Sequence, residues 1–99
     1  MTLDQFKASL TQPSPPAELR ASLVALWHDG RADWDTAHRV AQDVDDAEGA
    51  WVHAYLHRKE GDPANAGYWY RRANRPAASD QLAAEWERLV STLLAGAES

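Results

Sequence analysis

One turning signal occurs twice in this chain, and it limits the fold more than any other feature. Gly30 is followed at Asp33 and Ala37 by an aspartate and, four residues on, an alanine. Gly61, Asp62 and Ala66 repeat the arrangement with two fewer residues in the turn. A glycine ends one helix, an aspartate side chain takes up free N–H groups of the next, and a small residue lets the two rods approach closely. The chain is therefore expected to fold back at Gly30 and Gly61. Short connections of this kind join antiparallel neighbours, so residues 17–44 and 47–75 read as two consecutive hairpins.

Apolar residues around these turns recur at spacings of three and four, and β-branched residues are scarce, so the expected class is all-α, with five to six helices. Residues 2–10 place Leu3, Phe6 and Leu10 on one side, before Pro13, Pro15 and Pro16. Ser14 as cap and Pro15 in the first turn predict a helix over 15–28, with Leu19, Leu23, Leu26 and Trp27 as its stripe. Asp33 opens a helix over 34–44. The acidic run Asp43, Asp45 and Asp46 offers the cap for the next, over 47–60, which carries Ala50, Trp51, Ala54, Tyr55 and Leu56. Asp62 and Pro63 start a helix over 63–74. Ser79 caps a last one over 80–95, striped by Leu82, Trp86, Leu89, Val90 and Leu93. This C-terminal helix is the natural cover for the open end of a hairpin stack, and the polar tail after Gly96 is expected to fray.

At 99 residues the chain is one domain, and its 44% hydrophobic content, five tryptophans included, suffices for a core. It holds no cysteine, which excludes disulfides, thiol catalysis and cysteine-ligated zinc. Residues 1–7 form no apolar leader, and no apolar run is long enough for a membrane span, so a cytoplasmic location is expected. The net charge of −5 argues against nucleic acid as a partner, because that needs a broad basic footprint. The charge is uneven: Arg58, Lys59, Arg71, Arg72 and Arg75 make the middle basic between two acidic ends.

The second hairpin resembles a tetratricopeptide repeat. Gly61-Asp62, Ala66, Trp69-Tyr70 and Ala73 follow that family's pattern, Ala54 fits the small position of the repeat's first helix, and Pro76 falls near its terminal proline. The family's large apolar positions in that helix fall instead on Ala50, His53 and His57, which suggests a helix rotated so that Trp51 and Tyr55 serve in their place. The first hairpin matches only from Asp33 to Ala41. The stretch from His53 to Asp62, with Tyr68 to Ala73, also resembles a group of short bacterial proteins of uncharacterised activity. The repeat resemblance implies a stack of helical hairpins that binds a protein or peptide on the face made by first helices. Stacks of this kind need about three repeats, so flanking helices or a homodimer would have to complete this one.

Three residue sets are candidates for a site. Trp27, Trp51, Tyr55, Arg58 and Lys59 would line the partner-binding face that the resemblance implies; the bland alternative puts the aromatics in the core. Arg71 and Arg72, with Tyr68 one turn before Arg72, would clamp a small anion. His53 and His57 stand one helical turn apart, the spacing of a two-histidine metal pair. Ala54 occupies the place where a metalloprotease motif needs glutamate, so that chemistry is excluded. A metal there would need further ligands, from His38 or an acid; otherwise the histidines are hydrogen-bonded packing residues. The chain lacks a phosphate loop, a nucleophile elbow and a calcium-loop spacing. The expectation is thus a non-enzymatic interaction module that needs no cofactor, with an anion- or metal-binding protein as the alternative.

Overall fold

The computed structural model describes residues 1–96 and is all-helical over them. The expected fraying of the tail lies outside the described residues. In chain order the helices are α1 (Leu3–Ser9), α2 (Ala21–Gly30), α3 (Trp34–Gln42), α4 (Ala47–Glu60), α5 (Pro63–Ala73) and α6 (Leu82–Gly96).

Local chemistry sets most of these limits. Thr2 and Gln5 close a reciprocal capping box at the start of α1. Asp33, Asp46 and Asp62 accept hydrogen bonds from the backbone N–H of Thr36, Gly49 and Asn65, so each aspartate caps the helix that follows it. Helices α2, α4 and α5 end alike, with a residue at positive φ and an N–H that reaches back five residues. Those bonds run from Asp33 to His28, Asp62 to His57 and Arg75 to Tyr70. The positive-φ residues are Ala32 (63°), Gly61 (89°) and Asn74 (57°).

Three expectations need correction. The second helix begins at Ala21, because Ser14 and Pro15 each precede a proline and are pushed out of the helical region. Ser14 therefore caps nothing, and the 14–20 stretch runs as turn and extended backbone. Gly30 does not supply the left-handed turn; Ala32 does. Gly30 serves close approach instead, since a Cβ there would lie 2.9 Å from Trp86 Cζ2 and 3.1 Å from the Leu10 methyls. Finally, α6 begins at Leu82 rather than residue 80. The Asp80 carboxylate is held by Arg88 (2.8 and 3.3 Å), and its carbonyl accepts from Arg58.

Helices α2 and α3 pack as one hairpin and α4 and α5 as the other; α3 against α4 joins them. The buried alanines Ala37, Ala41, Ala54 and Ala66 line these contacts. Helix α6 lies over α2 and α4, with α1 beside it. Its buried Trp86, Leu89, Val90, Leu93 and Leu94 contribute roughly 2 kcal/mol each before entropy is counted. Two buried acids on these faces are neutralised within the fold. Glu85 accepts from Arg58 Nη1 (2.7 Å) and the Tyr70 hydroxyl (2.5 Å). Asp29 accepts from the Tyr55 hydroxyl (3.0 Å) and Lys59 Nζ (2.9 Å). No buried side-chain nitrogen or oxygen among the described residues lacks a partner.

Candidate metal centre

The α3–α4 contact brings three histidines together. His53 and His57 share one face of α4 because four residues make about one turn. His38 reaches them from α3, and a ring nitrogen of each of the three lies within 4.8 Å of the others. His38 Nε2 and His53 Nε2 stand 3.0 Å apart. The His53 and His57 rings are stacked, with centroids 4.7 Å apart, and His38 meets both edge-on. Two indoles wall the cluster. Trp69 of α5 stacks on His53 at 4.0 Å, and Trp34 stacks on His38 at 4.9 Å. The Trp34 indole N–H donates to the Leu56 carbonyl, which pins that wall to α4.

Burial favours the uncharged form of the His53 and His38 rings. His53 is 6% exposed. Burial, followed by the neighbouring His57 and His38, pushes its imidazole down to about 4. His38 is lowered in the same way, by burial first and then by His57. Near neutral pH both rings are uncharged; one Nε2 donates its proton to the other, and a metal taking both nitrogens would replace that proton, which moves to Nδ1 of its ring. His57 Nδ1 bonds Glu60 Oε1 at 2.6 Å, which leaves its Nε2 as the nitrogen available to a metal. A carboxylate on the far nitrogen of a ligating histidine fixes tautomer and ring orientation.

The geometry fits a transition metal. Zn–N bonds of about 2.0–2.1 Å at tetrahedral angles separate ligand nitrogens by about 3.3 Å. The His38–His53 pair is already near that spacing, and with the His57 nitrogen within 4.8 Å of both, drawing it in takes a shift of at most about 1.5 Å. Imidazole donors suit zinc, copper, nickel and iron, whereas calcium and magnesium take oxygen. His57, Glu60 and Asp62 also lie within 4.8 Å of one another, but Asp62 caps α5 and Glu60 is bonded to His57.

The other expected site residues are dispersed. Trp27, Trp51 and Tyr55 are buried, at most 5% exposed, and Arg58 and Lys59 are turned onto the buried Glu85 and Asp29. The face that α2 and α4 would offer a partner is the one α6 covers. Arg72 lies over Tyr68 and Trp69 and donates to the Tyr68 hydroxyl. It therefore approaches the histidines only through an indole. Arg71 is exposed and stands apart from the cluster. Sequence reasoning offered His38 only as one option, read Trp69 as part of the repeat pattern without a link to the histidines, and passed over Trp34 and Glu60 as site residues. The signal was there in Trp34 and His38, spaced four apart like His53 and His57 on the next helix. No family model, curated protein or solved structure matches this chain.

Proposed function

We propose that this protein binds a divalent transition metal of the zinc, copper or nickel class through His38, His53 and His57, with Glu60 orienting His57. The observation that carries the reading is the convergence of three imidazole nitrogens from two hairpins, two of them on rings held uncharged by burial. Three nitrogen donors leave a coordination position for water or an outside ligand. The reading is of binding rather than catalysis, because both buried acids are consumed by structural partners. A metal at this point would tie α3 to α4 and so clamp one hairpin to the other. At 100 times Kd, such a ligand stabilises the fold by about 2.7 kcal/mol.

The test is calorimetric titration of the untagged, chelator-treated chain with zinc, nickel and magnesium chlorides. One zinc per chain is expected, with binding at least tenfold weaker in His38→Ala and in His53→Ala, and no magnesium binding. Zinc binding that survives replacement of all three histidines would refute the proposal.

A further inference from the structure

On the opposite side of α4 from the histidines' chemistry, a second arrangement is built from cations. The loop between α5 and α6 flanks an open pocket of about 240 Å³ beside Trp51, with Arg75, Arg88, Ala77, Ala78 and Glu85 among its walls. Arg75 is held in place at both ends. Its backbone N–H bonds the Tyr70 carbonyl at 3.0 Å, just after the left-handed Asn74. Its guanidinium lies on the Trp51 ring, 3.8 Å from the centroid. Stacking uses the flat face of a guanidinium and leaves its edge, with a fork of N–H donors, free for a planar acceptor.

No carboxylate of the described residues takes that fork. Both Glu85 oxygens are committed, one to Arg58 and one to the Tyr70 hydroxyl. The Asp80 carboxylate is paired with Arg88, and that pair is nearly half exposed on both sides, so solvent and added ions compete for it readily. Three guanidiniums, those of Arg58, Arg75 and Arg88, thus face two carboxylates around this loop. The imbalance sits in a chain whose overall charge is −5. Arg71 and Arg72, one turn earlier, lack the flanking loop.

We infer that this pocket is a binding site for a small oxyanion, a carboxylate or a phosphate, taken edge-on by Arg75 and assisted by Arg88. Its volume of about 240 Å³ equals that of about eight waters at ~30 Å³ each, room for a phosphate or a short dicarboxylate. Pro76, Ala77 and Ala78 give the carbon side of such a ligand an apolar wall.

The site is tested by following the Trp51 indole and Arg75 side-chain N–H signals in nitrogen–proton NMR spectra. Sodium phosphate or sodium succinate is added, with sodium chloride at equal ionic strength as the control. Saturable shifts with a Kd of about 1 mM are expected for at least one of the two oxyanions. Response to phosphate alone, to succinate alone or to both supports the site and identifies its ligand. The Arg75→Lys variant keeps the charge but loses the stacked fork, and should bind about tenfold more weakly. Arg71→Lys should bind within about twofold of the parent. Should Arg75→Lys fail to fold, Arg88→Gln carries the same expected loss. Absence of saturable shifts with either anion, or equal binding by the parent and the folded pocket variant, overturns the inference.

Discussion

Metal-free protein should lose stability between pH 6.5 and pH 4.5 through its histidine cluster. His53 titrates near 6.5 in an unfolded chain and near 4 in the fold. Its folded value is lowered, so within this window the unfolded chain binds more protons and stability falls as pH falls. At 1.36 kcal/mol for each unit, the full difference is on the order of 3 kcal/mol, most of it lost by pH 4.5. His38 is shifted in the same direction and adds to the loss. The carboxylates held below their ordinary values, Asp33, Glu48 and Asp80, start from 3.8 to 4.5 and contribute mainly at lower pH. A domain of this size has about 5–15 kcal/mol of total stability, so the effect is large enough to read by urea unfolding. The assay is far-UV circular dichroism in urea with a chelator present, at pH 7.5, 6.5, 5.5 and 4.5. His53→Phe keeps a ring against Trp69 and removes the titration, and should cut the pH slope by more than half. A flat profile in the parent, or an unchanged slope in His53→Phe, would show that the buried imidazole is not the source.

Other variants probe the remaining parts of the account. Ala32→Gly should raise stability by about 0.5–1 kcal/mol by relieving a left-handed alanine, whereas Gly30→Ala should lower it by about 1–3 kcal/mol by crowding Trp86 and Leu10, both read from urea midpoints. Glu85→Ala leaves Arg58 and the Tyr70 hydroxyl without their buried partner and should cost about 3–5 kcal/mol, seen as a fall in melting temperature of more than about 10 °C. Glu60→Gln should weaken zinc binding by about 10- to 100-fold while the stoichiometry stays at one, by calorimetry.

What the sequence disclosed follows the range of the interactions. The caps Asp33, Asp46 and Asp62, the left-handed Gly61 and the limits of α4 are written within a few residues of where they act, and they stand as expected. The false start at Ser14 came from treating one proline as a helix opener when a second followed it. Gly30 misled because its demand comes from Trp86, far along the chain, and not from its own turn. The stripe on α6 showed that the helix must bury one side, but not that it would lie across α2 and α4 and take up Arg58. The histidine pair on α4 was visible as spacing. Its third member, His38, stood only as one option beside an acid, because the rotation of α3 that turns it inward depends on how the buried Ala37 and Ala41 pack.

The most direct measurement is anomalous diffraction at the zinc edge from crystals of the protein grown with one equivalent of zinc. The expected map has one strong peak, about 2.0–2.1 Å from a nitrogen of each of His38, His53 and His57. A peak bound only by Glu60 and Asp62, or His38 still hydrogen-bonded to His53 with no metal between them, would contradict it.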